Sequence, residues 1–234
     1  MILNMNKYTF IIAMLAMSTQ LKAQDVWERP DDEDNTEQTV SNNNDRLSLS
    51  MGNRNSKYLA GAVPEIDGKV AWTFKYDVPG STAQQIYDVV LTRMKAFTRQ
   101  DNQLEGSSVA LVNKKEHSIV VTAAEWMTFK DAFLSLDRAK FYYVLVFHIS
   151  DNHFEVSIER IYYRYDENDG KGEYKLTAEK CINDANALNR KKTKLVPGWA
   201  KFRRKTIDRV DEINKYMTKI VRQLKSQNEK SKGQ

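Results

Sequence analysis

Three side chains able to bind a metal lie within eight residues of one another: His148, His153 and Glu155. Imidazole nitrogen and carboxylate oxygen are both ordinary zinc ligands. If the chain turns at Asp151-Asn152, His148 and Glu155 face each other across two strands, and His153 sits opposite Ser150 at the edge of the same side. Three ligands of the right type within one hairpin could bind zinc, but no fourth ligand and no helical His pair accompany them. The sequence therefore assigns no metal and no cofactor, and reads His148–Glu155 as a cross-strand pair on a solvated face. His117 falls in a turn.

Nucleophilic chemistry has even less to work with. No serine elbow appears, no cysteine stands with an orienting histidine, and neither a Walker loop nor a dinucleotide fingerprint is present. The acids Glu125, Asp131 and Asp137 are scattered, with nothing in their spacing to pair them. Cys181 is the one cysteine of the 234 residues, which rules out an internal disulfide and a cysteine zinc cluster. It reads as a small buried apolar residue.

These residues depend on the stretch Ala139–Tyr165, AKFYYVLVFHISDNHFEVSIERIYYRY, the longest β-patterned run in the chain. Asp151-Asn152 at its centre, between β-branched and aromatic runs, predicts a hairpin. The register then pairs Ile149 with Phe154, Phe147 with Val156 and Leu145 with Ile158 on an apolar face. His148–Glu155, Val146–Ser157 and Val144–Glu159 fall on the other face. Past Arg160 the pattern changes phase, which either a bulge near Arg160 or burial of both faces would produce.

The ends of the chain differ sharply in charge. Residues 1–23 resemble a secretory signal: Lys7, the apolar run Tyr8–Met17, and a small-residue site with cleavage expected between Ala23 and Gln24. The apolar run of about ten residues falls short of the ~20 needed to span a bilayer, and no second run is long enough. No cysteine lies near the cleavage site, so lipoprotein acylation is excluded. Residues 24–47 carry net charge −6, and residues 190–234 carry +11. The chain is expected to be exported, periplasmic or secreted. Residues 24–56 read as an acidic disordered linker, 57–225 as one folded domain and 226–234 as a basic disordered tail.

Within the domain, Lys69–Val78 alternates Val70, Trp72, Phe74, Tyr76 and Val78 on one face and predicts a strand ended by Pro79-Gly80. Ser81 and Gln84 fit a capping box opening a helix to about Thr98, with Ile86, Val89, Val90, Met94 and Phe97 along one side. Ser107–Val112 and Ser118–Ala124 predict a second hairpin. Glu125–Arg138 fits either a longer strand or a helical turn, and Thr177–Asn189 a short helix. A last helix from about Trp199 to Leu224 presents Phe202, Thr206, Val210, Ile213, Met217, Ile220 and Leu224 at alternating spacings of three and four. Its opposite face carries Lys201, Arg204, Lys205, Lys215, Lys219 and Arg222. The order β-α-β-β-β-β-α predicts an α+β fold, one antiparallel sheet with two helices packed on its apolar face.

Val63-Pro64-Glu65-Ile66-Asp67-Gly68-Lys69, Val78-Pro79-Gly80 with Ile86-Tyr87, and Phe202-Arg203 followed by Thr206-Ile207-Asp208 together resemble a family of exported Bacteroidetes proteins. That family is the domain of unknown function 4468 with TBP-like fold. The resemblance runs in order over Val63–Leu224. It implies a TBP-like fold and export, and it implies no reaction and no catalytic residues. The family's central turn is basic and contains glycine; here it is Ser150-Asp151-Asn152-His153, so nothing carries over to the turn. Fold likeness to a DNA-binding protein does not imply DNA binding.

Tyr142, Ile161, Tyr163 and Tyr165 are expected on the sheet face away from the helices. There they would form an apolar patch marking a partner or ligand surface, unless Glu125–Arg138 or Thr177–Asn189 covers them. The basic face of the last helix suits an anionic partner, and export argues against nucleic acid. The leading expectation is an exported, non-catalytic interaction module that binds a protein, peptide or small apolar ligand of the cell envelope on that open face. The alternative is a helix-grip protein whose long last helix closes a small-molecule or lipid cavity. A third reading is a hydrolase with a site assembled from dispersed residues.

Overall fold

The computed structural model describes residues 55–132, 135–166 and 172–232. The leader, its cleavage site and most of the acidic linker lie outside the described residues. The central hairpin forms in the predicted register. Strand β6 (Ser135–Ser150) pairs antiparallel with β7 (His153–Asp166), joining Ile149 to Phe154, Phe147 to Val156 and Leu145 to Ile158. Asn152 takes a positive φ of 63° at the turn, a conformation asparagine tolerates better than most residues.

The turn also organises the first helix, α1 (Ala83–Phe97). Asp151 Oδ1 accepts from Ala83 N at 2.7 Å, and Asn152 Oδ1 accepts from Gly80 N at 2.7 Å. A carboxylate at a helix N-terminus satisfies a donor left over there and opposes the positive end of the dipole. The capping box belongs to Thr82 and Gln85, one residue later than predicted. Ser81 is instead buried, where its Oγ accepts from Asn228 Nδ2 at 2.7 Å.

Strand β5 (Ser118–Ala132) runs the whole length of β6, so Glu125–Ala132 extends the strand rather than forming a helical turn. Strand β4 (Ser108–Asn113) pairs with β5, and β3 (Trp72–Asp77) pairs with the first half of β7. A strand not foreseen in the sequence, β8 (Glu173–Thr177), pairs with the second half of β7. The six strands lie in the order β3-β7-β6-β5-β4, with β8 beside β7. The expected single sheet is accompanied by a second, two-stranded one. It is formed by β1 (Glu65–Ile66) and β2 (Lys69–Val70), because the predicted strand Lys69–Val78 breaks at Ala71.

Two short helices, α2 (Ala178–Cys181) and α3 (Asp184–Ala187), precede the long α4 (Pro197–Lys232). All seven periodic residues of α4 are buried. The six apolar ones share one core with Ile86, Val90, Met94 and Phe97 of α1 and the inner sheet face. Helix α4 does not fray after Leu224 as predicted. Asn228 holds its last turns by donating to Pro79 O at 3.2 Å as well as to Ser81.

Arg203 is wholly buried. Its guanidinium donates to Tyr58 O, Leu59 O and Ile182 O and pairs with Asp184 Oδ1 at 2.7 Å. A buried charge is tolerable when each nitrogen of the guanidinium donates in this way. One side chain thereby ties α4 to the turn at Ser56–Tyr58 and to the α2–α3 connection.

Candidate functional site

The residues singled out for the open face divide between the two sides of the sheet. Tyr142 pairs with Tyr162, but Val144 pairs with Glu159, so β7 carries one extra residue opposite Tyr143. That residue is Arg160, exposed and left-handed at φ 54°. The bulge turns everything beyond it through one phase. Ile161 and Tyr163 consequently enter the core at 2% and 0% exposure. The Tyr163 hydroxyl donates to Thr206 Oγ1 at 2.7 Å, since that oxygen in turn donates to Phe202 O. Tyr165 also faces α4, its ring against Phe202 and its hydroxyl on Asp137 Oδ1 at 2.9 Å. Of the four expected residues only Tyr142 stays on the open face; Ile161, Tyr163 and Tyr165 are corrected to the helix side.

Tyr162, which the sequence reading passed over, takes their place. Its ring stacks on Tyr142 with centroids 4.6 Å apart and planes 1° from parallel. The neighbouring row of the same face runs across four strands as Trp126, Lys140, Arg164 and Lys175, each the register partner of the next. Trp126 is 37% exposed. Arg138 lies over its indole at 3.6 Å, and Lys175 lies over the Tyr162 ring at 4.5 Å. Glu173 answers two of the cations, Lys140 at 2.9 Å and Arg164 at 3.2 Å. The Lys140 hydrogen bond, more than that of Arg164, holds the Glu173 carboxyl below the usual carboxylate range against the smaller opposing effect of burial. A depression of about 530 Å³ adjoins this row, lined in part by Leu136 and Arg138. Helices α1, α2 and α4 bury their apolar residues with the opposite sheet face.

A second concavity, about 470 Å³, lies where α4 crosses β5. Its wall holds Glu125, 3% exposed, which the sequence left as one of several scattered acids. Asn102 Nδ2 donates to Glu125 at 2.5 Å, and Arg209 reaches it through Nε at 3.0 Å and Nη2 at 2.9 Å. Behind this pair lies the buried Tyr143 hydroxyl, near enough to Glu125 and Arg209 for both to act on it but without a well-formed hydrogen bond among the described residues. Burial first, and the Glu125 charge second, push its pKa well up, so it stays a neutral donor.

The metal candidates do not assemble. Glu155 faces His148 in register, as predicted, but its carboxylate pairs with Lys75 at 3.2 Å. His153 Nδ1 lies 2.8 Å from Asp77. Among the described residues no group of three His, Cys, Asp or Glu side chains could hold a metal ion. Cys181 is buried, as read, and burial pushes its thiol up to about 12. Among the described residues no helix is long and apolar enough to cross a membrane.

The antiparallel sheet with helices against one face defines an α+β protein of TBP-like fold. A model of the family "Domain of unknown function (DUF4468) with TBP-like fold" matches residues 72–164. The chain is similar to a DUF4468 family protein from Bacteroides ovatus ATCC 8483, solved at 1.49 Å, with 34% identity and a TM-score of 0.66. That match covers 71% of this chain and 94% of the other. It shares its fold with a TBP-like protein from Parabacteroides distasonis ATCC 8503 at 18% identity and a TM-score of 0.53, covering 68% of this chain and 97% of that one. No curated protein matches the sequence. The chain belongs to the DUF4468 family.

Proposed function

We propose that this protein is an exported, non-catalytic binding module that takes its partner on the open sheet face around Trp126, Tyr142 and Tyr162. The observation that carries this reading is the company these aromatics keep. Trp126 and the stacked tyrosines stand side by side with Lys140, Arg164 and Lys175 on a face that the helices leave alone. Aromatic residues and arginine on a solvated surface are the types that dominate partner binding. Export rests on the leader at residues 1–23, and N-terminal sequencing of protein recovered from the cell envelope should begin at Gln24. Hydroxyl-radical footprinting in envelope extract, compared with the purified protein, tests the face. Protection of Tyr142 and Tyr162 together with Trp126 is expected, and protection of the α4–β5 groove, which Trp126 also lines, without the two tyrosines would overturn it.

The second reading, a small-molecule site beside the long helix, is favoured by the concavity of about 470 Å³ walled by Glu125, Lys205 and Arg209. It expects a co-purifying small molecule by native mass spectrometry that Lys205→Glu loses.

A further inference from the structure

We infer that the occupant of the open face is an acidic peptide segment of a protein partner, its carboxylates lying along the row Lys140–Arg164–Lys175. The inference rests on the binding-face reading above and adds the chemistry of the partner. Like charges directly opposite each other across strands destabilise a sheet. Here three cations stand consecutively across three strands, spanning roughly 10 Å at ordinary strand spacing. Within this row Glu173 bridges Lys140 and Arg164, whereas Lys175 and, one row along, Arg138 lie over the Tyr162 and Trp126 rings. An anion arriving from outside would complete the set.

The aromatic rings narrow the choice of anion. One face of the Trp126 indole is covered by Arg138, and the Tyr162 ring lies between Lys175 and Tyr142. A nucleobase binds such surfaces by stacking on a free ring face, and here the rings hold cations in place instead. Leu136, 50% exposed beside the depression, offers an apolar contact next to the charges. A carboxylate-rich peptide with an occasional apolar side chain fits both features.

The test uses the full mature chain and a fluorescein-labelled decaglutamate peptide at low salt, followed by anisotropy, with decaglutamine as the uncharged control. Decaglutamate should bind and decaglutamine should not. Lys175→Glu, which places an acid opposite Arg164, should fold at least as stably and bind about tenfold more weakly. Lys219→Gln with Arg222→Gln, on the outer face of α4, should leave binding unchanged. Equal binding by Lys175→Glu, or an equal loss in the α4 variant, overturns the inference. Tighter binding of a sulfated oligosaccharide or single-stranded oligonucleotide through Lys175 overturns the peptide assignment and leaves the face standing. The footprint described above decides the face independently.

Discussion

Arg203 Nη2 and Asp184 Oδ1 lie 2.7 Å apart, with the guanidinium entirely shut off from solvent. Arg203 is part of the Phe202-Arg203 pair through which the sequence resembles its family, and the structure gives that arginine an architectural task. Three backbone carbonyls and one carboxylate receive its planar fork, and a lysine in its place could not present donors in that geometry.

Arg203→Met should therefore cost about 3–5 kcal/mol, since it removes four hydrogen bonds at once and leaves Asp184 only its bond from Gly61 N. Asp184→Asn keeps an acceptor and should cost less. Urea denaturation of both variants checks the order, and an Arg203→Met protein as stable as the parent would contradict the assignment.

The tyrosines give the sharpest contrast between the two faces. Tyr163→Ser would leave a ring-sized hole beside Phe141 and Phe202 and should cost about 3–5 kcal/mol. Tyr163→Phe loses one hydrogen bond to Thr206, about 1 kcal/mol. Tyr142→Ser, on the open face, should change the melting temperature far less than Tyr163→Ser. Thermal melts of the three variants distinguish a core residue from a surface one.

That contrast also shows where the sequence stops being legible. The hairpin register could be read because alternation and the Asp151-Asn152 turn agree. The phase change past Arg160 was visible too, but a bulge and a doubly buried strand put Tyr163 on opposite faces, and composition does not choose between them. The Thr82 cap was missed by one residue because Ser81 is an equally good capping type. The row Lys140–Arg164–Lys175 was beyond reach altogether. It exists only once the bulge, the β6–β7 register and the unforeseen strand β8 are all in place. The Glu125–Arg209 pair, 84 residues apart, likewise depends on how α4 crosses the sheet.

Asp151 offers a test of the central turn. Its carboxylate accepts from Ala83 N, in the first turn of α1. Asp151→Ala should destabilise the domain by about 1 kcal/mol. Adding salt should narrow the difference, because the dipole part of the interaction is screened. Denaturation midpoints at low and high salt measure both effects.

Cys181 should be chemically silent while the protein is folded. Thiolate is the reactive species, and burial pushes this thiol up to about 12. Iodoacetamide at pH 8 should leave the native protein unmodified and label it fully in denaturant. The sign of the linkage follows from the raised value: the unfolded thiol ionises near pH ~8.5, so unfolding is increasingly favoured as the pH climbs from there towards 12. Rapid native labelling, read by mass spectrometry, would mean that the α2 region opens without global unfolding.

Glu173 couples the charged row to pH in the opposite direction. Its folded pKa is lowered, chiefly by Lys140 and less by Arg164. A carboxyl depressed in the folded state contributes its stability above its unfolded pKa of ~4.3 and loses it as the pH falls through the folded value. The site is partly exposed, so the contribution should stay within about 1 kcal/mol. Glu173→Gln should remove that acid-side component from the stability profile. It should also release Lys140 and Arg164 from their shared carboxylate, and so strengthen decaglutamate binding. A Glu173→Gln protein that binds the peptide more weakly would mean that the carboxylate orients the cations rather than competes for them.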